Sequence, residues 1–313
     1  MVPKVAVVGS GLIGRAWAVV FASHGWRVSL YDTSPSGANA ARMQVEHALK
    51  ELASHDLVAD PNGALDLVEP SSTLAVALKG ATLVQENGPE VLEIKRELFK
   101  EMDSLAGPNT ILASSTSFIV ASRFTEGLAG RHRCLVAHPV NPPHLVPVVE
   151  LCPAPWTAPN VVERARTIYD SVGQVPVLVR NEVFGFVLNR LQAVLMAEAF
   201  RLVGEGVISP QDLDKTVRDG LGLRWAFMGP FETIELNAPG GIPDYCARYA
   251  ASLSSLVEGA LGEAPFGEQN VTAVLQSWKA SQDAERIDQL TRWRDGRLAA
   301  LKAHKRSAPV KPD

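Results

Sequence analysis

Cysteine is scarce in this chain of 313 residues, and the three present, Cys134, Cys152 and Cys246, form no CxxC pair. That argues against a disulfide framework and reads as reduced thiols of a cytoplasmic protein. A charge excess of one sign is missing too. The formal net charge is −4 and the pI near 6.0, so the chain carries no basic footprint for nucleic acid or an anionic membrane. No apolar run is long enough to cross a bilayer. The first such run turns at once into a glycine loop, so no signal peptide is expected. Histidines and carboxylates show no metal-ligand spacing, and no metal is expected. The six tryptophans do not interleave with basic residues and read as core or interface. Repeats and low-complexity tracts are absent. What remains is an ordinary globular composition, 46% hydrophobic and 20% charged, in a chain long enough for two domains.

Glycine is where the chain becomes specific. Val5-Ala-Val-Val8 reads as a buried parallel strand. It runs into Gly9-Ser-Gly11-Leu12-Ile13-Gly14 and a helical apolar pattern, Ile13, Trp17, Val20 and Phe21. A second strand, Arg27 to Tyr31, ends on Asp32. Strand, glycine turn, helix, strand and acid follow at the spacing of a dinucleotide site. Gly9 permits the tight turn, Gly11 lets the backbone approach a pyrophosphate, and Gly14 lets helix and strand pack closely. Leu12 and Ile13 open a helix whose free N–H groups and positive dipole suit phosphates. Asp32 can accept from both ribose hydroxyls and would repel a 2′-phosphate. Thr33 to Ser36 offers no arginine, so the expected cofactor is NAD rather than NADP.

The alternation continues. Gly37 to Leu52 is expected as a helix, and His55 to Gly63 as a polar loop. Ala81 to Glu86 is a strand with a polar tip, Pro89 to Leu105 an amphipathic helix, and Thr110 to Ser114 a strand ending in the hydroxyl-rich Ser114 to Ser117. Ligands bind at the carboxyl ends of parallel strands, which puts Glu86 and Ser117 on the side of Gly11 and Asp32. The serine cluster could equally cap a helix over Phe118 to Phe124. Val175 to Val179 is a last strand. From there a long apolar helix is expected from about Phe184 to Val203, with Asn189 on its apolar face, where a buried amide needs a partner. Ser209-Pro-Gln-Asp212 is a capped helix start, and that helix should end at Gly220. Beyond Leu221 the chain reads as helical, with Lys302 to Asp313 frayed. The fold class is therefore α/β. A Rossmann-type doubly wound sheet spans residues 1–182, and an all-helical substrate and dimerisation domain spans residues 183–313.

One further stretch carries chemistry. In Cys134 to Leu151 an apolar run ends at His138-Pro, Asn141 follows in the turn, and a second run carries the lone carboxylate Glu150. Two adjacent strands can bring imidazole and carboxylate together, which fixes the tautomer and makes a positioned general base. The residue types alone fit a satisfied core histidine equally well. The remaining histidines, His144 among them, read mostly as surface or rim groups.

In order along the chain, Gly9 to Gly14, Asp32, Glu86, Ser117, His138, Asn141, Glu150, Gly185-Phe-Val-Leu-Asn189-Arg and Met228-Gly-Pro-Phe-Glu232 resemble the L-3-hydroxyacyl-CoA dehydrogenase superfamily. Ala137-His-Pro-Val-Asn-Pro-Pro143 and Gly220-Leu-Gly-Leu-Arg-Trp-Ala-Phe-Met-Gly-Pro230 are similar to its lambda-crystallin / L-gulonate 3-dehydrogenase branch, and carnitine dehydrogenases share much of the second signal. Ser115 stands where acyl-CoA enzymes usually have asparagine, which points away from an acyl-CoA substrate. The resemblance implies a two-domain enzyme, usually a homodimer, that oxidises a small-molecule L-3-hydroxy acid with NAD. It implies His138 as general base, Glu150 as its orienting partner and Ser117 on the reacting oxygen. Asn189 would position His138 or substrate, with Glu86 and Asn141 on the cofactor side. A free acid keeps its carboxylate, and Arg224, between Gly220-Leu-Gly222 and an apolar run, is the candidate partner for it; the alternative is an arginine that caps the preceding helix or pairs with Glu232 across a dimer interface. Three readings stay open at this point: a dehydrogenase of a free hydroxy acid such as L-gulonate, an acyl-CoA dehydrogenase, and an NAD-binding structural protein.

Overall fold

A computed structural model describes residues 2–34, 36–258, 264–277 and 284–308. They form two units. The first comprises Met1–Val187 and the chain from Asp288 onward; the second is Leu188–Ile287.

The first unit is a wound sheet. Its elements are β1 (Lys4–Val8), α1 (Leu12–Ser23), β2 (Arg27–Tyr31), α2 (Gly37–Ser54), α3 (Pro61–Asp66), β3 (Val68–Pro70), α4 (Leu74–Leu78), β4 (Leu83–Glu86), α5 (Leu92–Leu105), β5 (Ile111–Ser114), α6 (Ser122–Thr125), β6 (Cys134–Pro139), β7 (Val148–Pro153), α7 (Pro159–Ser171) and β8 (Val175–Leu178). The strand order is β3-β2-β1-β4-β5-β6-β7-β8. Neighbours pair in parallel except β6 and β7, which are antiparallel.

Near-continuous apolar strands follow from burial on both faces. In β1, Val5 and Val7 enter one core with Trp17, Phe21, Val45 and Tyr169, while Ala6 and Val8 enter the other with Phe99, Met102 and Phe124. Each large side chain so buried contributes roughly 1.5–3 kcal/mol. Reversal of strand order at β1 opens a crevice at the carboxyl ends. There the register aligns Tyr31, Val8, Glu86, Ser114 and Val136 in one row. The residues just past that row are Asp32, Gly9, Asn87, Ser115 and, two positions on, His138.

Three expectations for this unit are corrected. The polar loop after α2 contains α3, whose N-cap Asp60 accepts from the Gly63 amide, and the short edge strand β3 follows, paired with β2. Elements of six and three residues are too short to show periodicity. Residues Val183 to Val187 are not helical: Gly185 and Phe186 both have positive φ, 76° and 52°. The chain end also does more than fray. The last helix runs on to Ser307; its Ala299 is buried in the core with α1 and α7, and Lys302 donates to the His144 carbonyl at 2.7 Å. Residues 309–313 lie outside the described residues.

The second unit is helical. It holds α8 (Leu188–Gly204), α9 (Pro210–Lys215), α10 (Gly222–Trp225), α11 (Pro230–Glu235), α12 (Gly241–Glu258), α13 (Glu268–Ser277) and the first residues of α14 (Ala284–Ser307). The expected serine cap is present, Ser209 Oγ accepting from the Asp212 amide at 3.1 Å. The expected stop at Gly220 is not, because Thr216–Leu221 continues as a π-helical turn into α10. Of the stretch beyond Leu221 that reads as helical, residues 259–263 and 278–283 lie outside the described residues.

Candidate active site

The glycine loop fits a dinucleotide in detail. Gly9 has φ +90°, and a Cβ there would lie 2.7 Å from the Asn87 carbonyl; one on Gly14 would lie 1.9 Å from the Gly9 carbonyl. Those two positions must be glycine for the turn to close and the helix to sit on it. Gly11 differs: a Cβ there would meet nothing within 4 Å. No protein neighbour requires glycine at that position. Gly11 is also the N-cap of α1, with no side-chain cap and no acid in the first turn, so its amides are left for phosphate.

Asp32 is held in place by Ser10 and Ser34. Its Oδ2 accepts from the Ser10 amide and hydroxyl, each at 2.7 Å, and Oδ1 accepts from the Ser34 amide at 2.9 Å. Partial burial pushes its pKa up. The hydrogen bonds from the Ser10 hydroxyl and from the Ser34 and Ser10 amides outweigh that and hold the carboxyl below its usual range. A cavity of about 1060 Å³ opens here, lined by Gly9, Gly11, Asp32, Asn87 and the α5 residues Ile94 and Leu98. These features fit NAD without a 2′-phosphate. Leu12, half exposed, and Ile13 lie in the first turn of α1.

His138 and Glu150 face each other across the antiparallel β6–β7 joint. Nδ1 of His138 lies 2.8 Å from Oε2 of Glu150, and both residues are buried. The other carboxylate oxygen, Oε1, accepts from the Val187 amide at 2.9 Å. Phe186 lies over the imidazole with ring centroids 5.3 Å apart. The left-handed turn at Gly185–Phe186 delivers both contacts, so the stretch expected as a helix start instead closes over the His–Glu pair. A carboxylate fixed at Nδ1 makes Nδ1 the donor and leaves Nε2 as the basic nitrogen.

Ser117 follows β5, the strand next to β6, and its amide donates to Glu90 Oε1 at 3.2 Å. Glu90 also accepts from the Thr116 hydroxyl and the Phe118 amide. It thus organises the hydroxyl cluster, a role the sequence signalled only by an acid shortly after a strand end. The helix expected over Phe118 to Phe124 is only Ser122–Thr125, and its N-cap residue, Ala121, makes no side-chain cap; the Thr116 hydroxyl accepts from the Ile119 amide in the turn before it. Ser115 is an internal connector: it accepts from Trp17 Nε1 and Gln85 Nε2 and donates to Asn87.

Glu86 stands differently from the expectation of cofactor contact. It is fully buried, accepts from Ser114 at 2.5 Å and the Gly88 amide at 2.6 Å, and is ion-paired with buried Lys95 at 3.1 Å. Its oxygens support the strand ends from within. Asn141 is exposed, past the end of β6. Asn189 is the second residue of α8 and half buried, so the mid-helix position expected for it is not observed. Arg224 is exposed on α10, within a continuing helix rather than after a turn. It makes no side-chain hydrogen bond or ion pair among the described residues. Those residues also hold no cluster of three or more His, Cys, Asp or Glu suited to a metal, and no helix long and apolar enough to cross a membrane. The cysteines are free, with Cys134 and Cys152 buried and Cys246 exposed.

A wound sheet with a glycine loop, an aspartate after the second strand and a His–Glu pair at the same strand ends defines an NAD-dependent oxidoreductase. Residues 4–183 match the NAD binding domain of 3-hydroxyacyl-CoA dehydrogenase, and residues 185–273 match its C-terminal domain. The chain belongs to the 3-hydroxyacyl-CoA dehydrogenase family. It is 47% identical to a lambda-crystallin homolog of Bos taurus over 95% of each chain. It is 34% identical to an L-carnitine dehydrogenase of Pseudomonas putida over 95% of this chain and 92% of the other. Among solved structures it resembles 5-formyl-3-hydroxy-2-methylpyridine 4-carboxylic acid 5-dehydrogenase, an NAD+ dependent dismutase, with a TM-score of 0.84 and 30% identity over 99% and 100% of the two chains.

Proposed function

We propose that the chain oxidises the 3-hydroxyl of a small, free L-3-hydroxy acid, with L-gulonate as the leading candidate. The observation that carries this reading is the His138–Glu150 pair, set beside a cofactor loop built for NAD. NAD, held by Gly9 to Gly14 and Asp32, supplies the hydride acceptor. His138 takes the hydroxyl proton at Nε2 while Glu150 keeps Nδ1 protonated and stabilises the imidazolium. In the reverse direction the imidazolium and the Ser117 hydroxyl polarise the ketone. Asn189 positions the substrate or the base, Asn141 serves the nicotinamide side, and Arg224 holds the carboxylate.

Two features favour a free acid over an acyl-CoA. Residues 33–80 carry six acids and three basic groups, an acid excess of three on a stretch that in the family helps dock the nucleotide handle of CoA. A handle with several phosphate charges calls for the opposite sign. Ser115, where acyl-CoA enzymes usually have asparagine, is tied to Trp17, Gln85 and Asn87. A homodimer formed through the helical unit fits the exposure of Leu223, Phe227, Phe231 and Leu236, apolar side chains that a monomer would leave in water. A cytoplasmic setting fits the three free thiols.

The test offers L-gulonate, L-carnitine and 3-hydroxybutyryl-CoA separately with NAD and follows NADH absorbance. Saturating turnover of L-gulonate, with no competition by free CoA, supports the proposal. Efficient turnover of the CoA ester, or tight CoA inhibition, replaces it with the acyl-CoA reading. L-Carnitine as the preferred substrate keeps the mechanism and changes the acid.

A further inference from the structure

A network of polar side chains joins α1 and α7 to the ends of β4 and β5. The Tyr169 hydroxyl donates to Gln85 Oε1. Gln85 Nε2 donates to Ser115 Oγ at 2.7 Å and to the Ala137 carbonyl at 3.4 Å. Ser115 Oγ also accepts from Trp17 Nε1 at 3.0 Å and donates to Asn87 Oδ1 at 2.8 Å. Asn87 Nδ2 donates to the Gln85 carbonyl at 2.8 Å and to the Val8 carbonyl at 3.3 Å. Trp17, Gln85 and Tyr169 are fully buried.

Each hydrogen in this network has a fixed destination. Burial pushes the Tyr169 pKa up, so its hydroxyl stays a neutral donor. The Gln85 amide then has its oxygen on Tyr169 and both N–H groups on Ser115 and Ala137. An indole N–H only donates, so Ser115 accepts twice and its own hydrogen goes to Asn87. The Asn87 amide is used up in turn, its oxygen by Ser115 and its two hydrogens by main-chain carbonyls. Asn87 is also where the network meets the cofactor loop. Its backbone N–H donates to the Val8 carbonyl at 2.7 Å, at the end of β1. A Cβ on Gly9 would lie 2.7 Å from its carbonyl oxygen, and one on Gly14 would lie 3.4 Å from Nδ2. Residue 87 is therefore the floor against which the glycine turn packs, and it lines the cavity with Gly9, Gly11 and Asp32. Ser115, Gln85 and Trp17 stand behind that floor and do not line the cavity.

We propose that Ser115 is a positioning residue for NAD, acting through its hydrogen bond to Asn87 to fix the floor of the glycine turn. Gln85 and Trp17 hold the Ser115 oxygen from behind, so its hydrogen has one direction. Without that hydroxyl, Asn87 Oδ1 and the Gln85 and Trp17 N–H groups lose their common partner, and the Asn87 side chain is no longer fixed against the turn. Amides aimed at a phosphate keep their aim only while the backbone carrying them is held by its supporting shell. The same Gln85 amide reaches the carbonyl of Ala137, the residue before His138 in β6, so one buried side chain references both the cofactor floor and the strand of the base. The role is independent of which hydroxy acid is oxidised.

The experiment is titration of the full chain with NADH, with no substrate present, followed by nicotinamide fluorescence below the melting transition of each variant. Ser115→Ala should raise the NADH Kd about tenfold, equivalent to about 1.4 kcal/mol. Ser115→Cys keeps the shape of the side chain but is a weak donor. It should raise Kd in the same direction with a melting temperature near wild type, and it carries the test if the alanine variant does not fold. Asn87→Ala should weaken NADH as well. Because Ser115 acts through Asn87, the double variant Ser115→Ala/Asn87→Ala should bind no more weakly than Asn87→Ala alone. A wild-type Kd in the Ser115 variants, whatever their melting temperatures, makes the network a matter of stability only and overturns the proposal. A double variant whose loss is the sum of the two single losses also overturns it. Failure of the wild type to bind NADH would overturn the NAD assignment itself, and this proposal with it.

Discussion

His138 and Glu150 are directly opposed residues of β6 and β7, and the antiparallel turn of the sheet at that joint brings Nδ1 within 2.8 Å of Oε2. A parallel neighbour could not be reached through so short a connection, because parallel strands need a long crossover. The joint thus lets twelve residues of sequence separation become one hydrogen bond. Removing the base by His138→Ala, or its orienting charge by Glu150→Gln, should lower kcat by about 10²–10⁴. NAD affinity should hold, since the glycine loop and Asp32 are built by other strands. Wild-type turnover in the His138 variant, measured by NADH formation, would sink the assignment.

Asp32 offers a second check. Its carboxyl, held below the usual range by Ser10 and Ser34, stays ionised throughout the neutral range, so its repulsion of a 2′-phosphate is constant there. Asp32→Ala should weaken NAD and narrow the NAD over NADP preference. A wild type that prefers NADPH in steady-state kinetics contradicts this role for Asp32.

Much of this site could be read from residues alone because each signal was local. Gly9, Gly11, Gly14 and Asp32 sit at fixed offsets, and β-branched runs mark the strands that place them. His138 and Glu150 were legible because an apolar run makes a lone titratable residue stand out. What could not be read was set by distant packing. Glu86 lies at a strand tip like a ligand-facing acid, yet the buried Lys95 on α5 turns it inward. The left-handed turn at Phe186 overrides an apolar pattern that suits a helix. The polar composition of Lys302 to Ser307 hides a helical end docked by Lys302 on the β6–β7 turn.

The Glu86–Lys95 pair makes a stability prediction. Both side chains are at most 1% exposed. Lys95→Met leaves a carboxylate buried without its cation and should cost about 3–5 kcal/mol. Adding Glu86→Gln should recover part of that loss, because the stranded charge is gone. Urea denaturation of the two variants measures it; equal stability of wild type and the Lys95 variant would show the pair to be dispensable.

His144 gives a pH dependence. Burial, then Lys302 and Arg294, lower its pKa to about 4 from an ordinary 6.5. The unfolded chain therefore binds the proton first as pH falls. Stability from this residue is complete above about 6.5, declines between about 6.5 and 4, and changes no further below. The full effect is on the order of 3 kcal/mol. His144→Gln should flatten the fall of melting temperature across that window relative to wild type. An unchanged slope would mean that other groups carry the acid sensitivity.

The proposed hold on the substrate's carboxylate is tested at Arg224. It sits on α10, exposed, beside Leu223 and Trp225, which are 64% and 43% exposed. An arginine that capped the preceding helix would show that contact within its own unit. Arg224 shows none, and the helix expected to end at Gly220 continues through it. A guanidinium without an internal partner is available to a carboxylate, which its planar fork binds through two parallel hydrogen bonds. Lysine keeps the charge and loses the fork. Arg224→Lys should therefore lower kcat/KM for L-gulonate by about tenfold or more, the loss expected when a charge-assisted bond worth roughly 1.5–3 kcal/mol is removed. Melting temperature and NAD affinity should stay near wild type, because an exposed, unpaired side chain contributes little to either. The reverse outcome, a lower melting temperature with kcat/KM intact, would make Arg224 an assembly residue and transfer the carboxylate to another cation.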